Sequence, residues 1–210
     1  MSQIILKEYN PITLSPQQLN EVMDASKTAP LVIKRVLLQK ANAQNRNGRI
    51  YPRNVLRREI DKYNETMVKT RRALGELDHV NEMVVHLGNV SHIITEMWWD
   101  DNSEGVYGNI EILDTEEFPS GRIAAGLLRR NIPIGISSRA LGSVTETGEG
   151  SVVNEDLALC CFDLVSYEST IGSTLNLNEG VQLQSSKYNR LDTIINEILC
   201  NTTGACPCRR

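Results

Sequence analysis

The feature that most constrains the fold of this chain is a pair of strand-forming runs on either side of a polar turn in the middle of the sequence. Met83 to Ile94 and Glu96 to Trp99 are rich in β-branched and aromatic residues, and Val106 to Leu113 alternate between apolar and polar side chains. Asp100 to Gly105 form the polar turn between them. This order predicts a β-hairpin, so we expect the centre of the chain to be largely antiparallel sheet.

Helical patterns are predicted before and after this hairpin. Ser15 and Gln18 have the spacing of a capping box in front of a helix that begins at Pro16 and runs to about Ser26. Two further stretches show amphipathic helical spacing, from Asn54 to about Val68 and from Gly121 to Arg130. Additional strands are predicted over Leu31–Leu38, from Ile132 towards Ser137, and over Leu157–Val165. The mixture predicts an α+β fold.

Three regions follow from the change in composition along the 210 residues. Residues 1–30 form an N-terminal segment with one short helix, and residues 31–177 form the compact domain. Residues 178–210 form a polar tail with one amphipathic stretch at 191–199.

Charge and hydropathy exclude two classes of partner. The net charge is −4, whereas binding to nucleic acid requires clustered Lys and Arg. The sequence contains no apolar run near the roughly 20 residues that span a bilayer, and its N-terminus lacks the pattern of a signal peptide. We therefore expect a cytosolic protein without a nucleic-acid or membrane partner.

The cysteines do not predict a metal site. Cys160 and Cys161 lie in an apolar run, and Cys200, Cys206 and Cys208 lie near the C-terminus. The spacing of the last three matches no common zinc motif and provides only three thiolates. We expect neither a metal nor another cofactor.

A stretch of small and hydroxyl residues, Gly135 to Gly142, contains the first candidate for chemistry. Glycines flanking a pair of serines leave backbone N–H groups accessible beside a side-chain oxygen, which suits a nucleophile such as Ser137. A Gly/Ser turn between two strands is the alternative, and on this stretch alone it is favoured.

A serine nucleophile needs a base, and histidine is the usual one. His79 follows a turn-like segment in which an imidazole can face a cleft, whereas His86 and His92 lie in apolar strand context. We therefore predict His79 as the base. The third member, which holds the imidazole, remains open at this point between Asp163, Glu76 and Asp78.

Four ordered motifs carry a resemblance to a known family. They are residues 45–52 (NRNGRIYP), 73–79 (ALGELDH), 97–99 (MWW) and 135–142 (GISSRALG). Together they closely resemble the prohead core (maturation) proteases of T-even-type bacteriophages, which are related in fold to the herpesvirus assemblin serine proteases. The resemblance covers about residues 32–174.

The resemblance implies a fold and an activity. The fold would be a small, mostly antiparallel β-barrel surrounded by helices. The activity would be that of a serine endopeptidase that matures the phage prohead in the host cytoplasm by cleaving capsid and scaffold proteins, and we expect it to form a homo-oligomer.

The resemblance also assigns residues. The family's catalytic His and Ser fall on His79 and Ser137. The second His of assemblins has no counterpart downstream of Ser137, so we place Asp163 in that role. Ser138 and Arg139 are expected to support an oxyanion loop that follows the nucleophile.

Proteases that resemble this one prefer to cut after Glu in a short apolar-x-Glu context. Arg46 or Arg49 would then bind the acidic side chain. Glu179 and Glu197 are candidate sites of self-cleavage, which would remove part of the tail. Two rival functions are a non-catalytic capsid or scaffold assembly protein and a serine esterase for small molecules.

Overall fold

The computed structural model describes residues 3–12, 14–24, 30–148 and 150–166. These residues form ten strands, three α-helices, a π-helical turn at Asn64–Val68 and a 3₁₀ turn at Leu87–Asn89. The strands are β1 (Ile4–Pro11), β2 (Leu31–Lys40), β3 (Arg49–Ile50), β4 (Leu74–Glu76), β5 (Val90–Asp100), β6 (Gly105–Ile112), β7 (Ile134–Gly142), β8 (Val144–Thr147), β9 (Gly150–Val153) and β10 (Ala158–Ser166). The helices are α1 (Pro16–Asp24), α2 (Arg53–Tyr63) and α3 (Pro119–Arg129).

The strands form three sheets in which all but one of the pairings are antiparallel. Their orders are β1–β7–β10, β2–β6–β5–β4 and β3–β9–β8, and only β3 and β9 run parallel. Strands β5 and β6 form the predicted central hairpin, with Asp100 opposite Gly105. The α+β class with mostly antiparallel sheet is confirmed.

The expected barrel is wrong, because none of the sheets in the described residues closes on itself. Within the described residues, the sheet of β4 and the sheet of β10 are joined by one isolated bridge, Leu77 with Leu164, and by a hydrogen bond of 2.7 Å from Asp78 N to Leu164 O. Beside this bridge the Glu76 N–H donates to a carboxylate oxygen of Asp163 at 3.1 Å. A backbone donor used in this way is not available for a continuous ladder between the two sheets.

The helices lie where the sequence predicts them. Ser15 caps α1 reciprocally: its Oγ accepts from Gln18 N at 3.2 Å, and its own N–H donates to Gln18 Oε1 at 3.0 Å. Helix α2 buries Val55, Leu56, Ile60 and Tyr63, and the Tyr63 ring meets Phe162 of β10 edge to face at 5.8 Å. Packing of this helix against β10 helps to fix the strand that carries Asp163.

Two segments differ from the sequence prediction. Strand β1 lies within the segment for which only a helix was predicted, and it pairs with β7 along its whole length. His86 lies in a loop and is partly exposed, because β5 begins only at Val90. Among the described helices, none is long and apolar enough to span a membrane.

Candidate active site

Ser137 lies in the middle of β7, between β1 and β10. Its residue partners are Tyr9 on β1 and Asp163 on β10. The side chain of Ser137 is 1% exposed. The alternative of a Gly/Ser turn between two strands is therefore wrong: Gly135 and its small neighbours form a strand paired on both sides. Small residues are needed there, because a Cβ on Gly135 would lie 1.9 Å from the Tyr9 ring.

Asp163 faces Ser137 across the β7–β10 pair. Directly opposed residues of an antiparallel pair project to the same face of the sheet, so both side chains lie on one side. The Asp163 side chain is fully buried. A buried carboxylate requires hydrogen-bonding partners, and the surrounding segments supply them.

His79 lies in the loop that follows β4. The bridge between Leu77 and Leu164 holds this loop against β10, and Asp78 has a positive φ of 65°, which turns the chain sharply before His79. Asp is one of the few non-glycine residues that adopt this conformation readily. The turn-like position predicted for His79 is confirmed.

These three side chains form one hydrogen-bonded series. His79 Nε2 lies 2.6 Å from Ser137 Oγ, and His79 Nδ1 lies 2.8 Å from Asp163 Oδ2. The imidazole is 14% exposed, whereas the other two groups are buried. A neutral imidazole with its proton on Nδ1 donates to the carboxylate and accepts from the hydroxyl, which is the arrangement needed for general-base activation of a serine.

The environment of Asp163 keeps it ionised. Burial alone would raise its pKa, but hydrogen bonds from His79 and from the Glu76 N–H, together with the charge of Arg139, outweigh burial and hold the pKa of the Asp163 carboxyl below its usual range. The acceptor for His79 is therefore an anion at neutral pH.

Arg139 has a different position from the one expected. It is fully buried, two residues from Ser137 on the same face of β7, and its Nη2 donates to Asp163 Oδ1 at 3.2 Å and to Glu76 Oε2 at 2.5 Å. Its Nη1 donates to Glu82 O at 2.7 Å. Arg139 thus binds carboxylates behind the site, and it does not lie in an oxyanion loop.

Ser138 faces the opposite side of the sheet. Its Oγ accepts a hydrogen bond of 3.3 Å from Gln39 Nε2 in the core. Because β7 pairs on both sides, the backbone N–H groups of Ser137 to Arg139 take part in sheet hydrogen bonds. Ser138 and Arg139 therefore lie in a paired strand and not in the expected loop, and their support of the oxyanion stays a prediction.

A cavity of about 180 Å³ opens at the candidate nucleophile. Its lining residues come from β1, from the loop before β3 and from the site itself, namely Lys7, Glu8, Tyr9, Arg46, Asn47, His79 and Ser137. Of the two predicted cations, Arg46 lines this cavity. Arg49 instead pairs with buried Glu8 at 2.9 Å.

The contribution of β1 to this cavity was not predicted from the sequence. Lys7 and Tyr9 follow the short apolar run Ile4–Leu6, and no strand was predicted there. Lys7 Nζ donates to Asn81 Oδ1 at 2.7 Å, which ties β1 to the loop of His79. The two buried residues of this strand are Leu6 and Glu8, and a buried carboxylate is not part of the apolar alternation that predicts a strand.

Some predicted features lie outside the described residues. These are the candidate cleavage sites at Glu179 and Glu197, the boundary at residue 177 and the three C-terminal cysteines. Within the described part of the chain, no group of three or more His, Cys, Asp or Glu side chains is arranged to hold a metal ion.

This fold and this site define a class of protein. A model of the family described as prohead core protein serine protease matches residues 9–172, which include all three side chains of the hydrogen-bonded series. The chain belongs to this family.

Two relatives place it more closely. The chain is 38% identical over 130 residues to the prohead core protein protease of Enterobacteria phage T4, covering 61% of this chain and 59% of that relative. It therefore spans less than two thirds of the length of this curated relative. Its fold is similar to the solved structure of the bacteriophage T4 capsid assembly protease, with a TM-score of 0.67 and 28% identity over 79% of this chain and 99% of that one.

Proposed function

We propose that this chain is a serine endopeptidase that cleaves capsid and scaffold proteins inside the assembling prohead, in the host cytoplasm. The observation that carries the proposal is the hydrogen-bonded series from Ser137 through His79 to Asp163. The relatives are named for prohead core proteolysis and capsid assembly, which supports this substrate class and this place of action.

The proposed mechanism is acyl transfer through the three residues. Ser137 Oγ attacks the peptide carbonyl while His79 Nε2 takes its proton, and Asp163 stabilises the imidazolium that forms. His79 then gives the proton to the leaving amine, and water hydrolyses the acyl-enzyme in the second half of the reaction. Stabilisation of the oxyanion requires donors outside the ladder of β7, and we assign this role to the two cationic residues that line the cavity, Lys7 and Arg46.

Cleavage after Glu is the proposed specificity. Arg46 and Lys7 line the cavity beside the nucleophile. The carboxylate of Glu8, which also lines it, is 1% exposed, forms an ion pair with Arg49 and accepts a hydrogen bond of 2.7 Å from the Tyr51 hydroxyl. The wall therefore attracts an acidic side chain of the substrate. Replacing Arg46 with Gln should reduce cleavage after Glu more than cleavage of the matching Gln peptide.

The test of the activity compares two adjacent serines. Wild type, Ser137→Ala and Ser138→Ala are assayed for cleavage of a peptide with an apolar-x-Glu sequence. Ser137→Ala should lose activity by roughly 10⁴-fold or more. Ser138→Ala removes a hydroxyl from the opposite face and should retain most of it. Equal cleavage by wild type and Ser137→Ala would contradict the proposal and favour a non-catalytic assembly protein.

A further inference from the structure

We infer that Glu76 is a positioning residue for this reaction: its carboxylate closes the loop that carries His79 and, through Arg139, orients Asp163. Glu76 touches neither the substrate cavity nor the reacting atoms, so it acts only through other residues. The inference rests on the proposed function, because it assigns a role within the same site.

Glu76 closes the loop by bonding across it. The side-chain Oε1 of Glu76 accepts hydrogen bonds from His86 N at 2.8 Å and from His86 Nδ1 at 3.1 Å, although the two residues are ten positions apart. His79 lies between them. A carboxylate that joins both ends of a loop restricts the positions that the imidazole can adopt.

The same residue also contacts the partners of Asp163. Glu76 Oε2 accepts from Arg139 Nη2 at 2.5 Å, and the Glu76 N–H donates to Asp163 Oδ1 at 3.1 Å. Arg139 in turn binds the loop through Glu82 O at 2.7 Å and Val84 O at 3.1 Å. One backbone amide and one carboxylate thus connect Asp163 with the loop of His79.

The burial of these charged side chains has a desolvation cost, which points to a role other than stabilising the fold. The side chains of Glu76, Arg139 and Asp163 are each 0% exposed. Buried ion pairs contribute little net stability compared with apolar residues of similar volume, because desolvation offsets their attraction. Fixing the geometry of a general base is a function that an apolar replacement cannot perform.

The three buried side chains of Glu76, Arg139 and Asp163 also set the net charge near His79. One guanidinium, Arg139, faces two carboxylates, Glu76 and Asp163, so that a net negative charge remains to stabilise the imidazolium. Three other charged residues lie in the cavity wall, namely Lys7, Glu8 and Arg46. Glu82 and His86 lie at the far end of the loop, where Glu82 Oε2 is 3.2 Å from His86 Nε2. Neutralising Glu76 would leave the positive charge of Arg139 less compensated, which disfavours protonated His79.

The experiment measures how fast a fluorophosphonate reacts with Ser137 in the full chain as a function of pH. Glu76→Gln should react about 10- to 100-fold more slowly at its optimum. The acidic limb of its profile should move to lower pH by about one unit, because the added net positive charge opposes protonation of the base. A merely structural role would lower the folded fraction without moving this limb.

Glu59→Gln is the matched control. Glu59 is also a buried carboxylate, and its Oε2 accepts a hydrogen bond of 3.2 Å from Leu159 N. It lies on α2 and, in the described structure, does not contact the loop of His79. Its profile should keep the wild-type midpoint. Glu76→Asp retains the charge and shortens the reach, so it should react slowly with an unchanged midpoint; this variant decides the matter if Glu76→Gln does not fold.

A folded Glu76→Gln variant with wild-type rate and midpoint would overturn the inference while leaving the proposed function intact. Reaction of Ser137→Ala at the wild-type rate would instead overturn the proposed function.

Discussion

At the scale of single residues, three side chains from separate segments meet because sheet geometry brings them together. Ser137 and Asp163 are opposed on neighbouring strands, and His79 enters between them from a loop held by a strand bridge. The imidazole contacts a hydroxyl on one side and an anion on the other. Each member therefore has the partner that its proposed role requires.

Asp163→Asn tests the role of the anion. An amide at this position offers an N–H group to His79 and favours the tautomer with its proton on Nε2, which cannot accept from Ser137. Peptide cleavage should fall by roughly 10³- to 10⁴-fold while the KM changes little. Steady-state kinetics with a peptide substrate measures both parameters, and an unchanged kcat would show that Asp163 does not orient the base.

His92 provides a prediction for stability. Burial in β5 lowers its pKa from 6.5 to about 4. The unfolded chain therefore binds a proton near pH 6.5 that the folded chain does not bind until about pH 4. The free energy of unfolding should therefore decrease by about 3 kcal/mol as the pH is lowered from 6.5 to 4. Urea unfolding over this range measures the change, and His92→Gln should remove most of it; an equal pH dependence in the variant would refute the assignment.

At the scale of elements, strand β7 is central because it carries Ser137 and Arg139 on one face and pairs with β1 and β10. The neighbouring strand β1 packs so closely that the Tyr9 ring lies over Gly135. The site therefore depends on the fit between two strands whose residues are far apart in sequence.

Gly135→Ala should disturb this fit. The added methyl would lie 1.9 Å from the Tyr9 ring, so the strands must shift, and we expect a loss of about 1–3 kcal/mol in the free energy of unfolding. Gly126→Ala in α3 is the control: the nearest atom to its methyl would be 3.7 Å away, and a gain of about 0.5–1 kcal/mol is expected. Chemical denaturation compares the two, and equal stabilities would contradict this account of the packing.

The elements also show what the sequence can and cannot predict. The central hairpin and the helices have strong local signals, such as the capping box of Ser15 and Gln18, and they are found where expected. Strand β1 has no such signal, because one of its two buried side chains is the carboxylate of Glu8. Ser137 and Arg139 are two residues apart in a strand and so share a face, but their burial on both sides depends on β1 and β10, which no local pattern indicates.

At the scale of the whole molecule, the site lies where two open sheets meet at one bridge. Strand β10 brings Asp163 from one sheet, and the loop after β4 brings His79 from the other. The closed barrel was an expectation from family resemblance, and the described strands instead form three open sheets. The residue types of the site were predictable from sequence, but the buried connection between the sheets was not.

Self-processing is a prediction for the full chain. If the enzyme cuts after Glu in an apolar-x-Glu context, concentrated wild type should yield shorter products that end at Glu179 or Glu197. Their rate of appearance should rise with concentration if one copy cleaves another. Intact mass spectrometry detects the products; an unchanged mass in wild type under conditions in which peptides are cleaved would contradict self-processing.

The most direct test of the central claim is the site at which a fluorophosphonate attaches to the full chain. Peptide mapping by mass spectrometry should locate the adduct on Ser137, and His79→Ala should abolish the reaction because no base remains to take the proton. Attachment to another residue, or equal labelling of wild type and His79→Ala, would show that Ser137, His79 and Asp163 do not work as a catalytic unit.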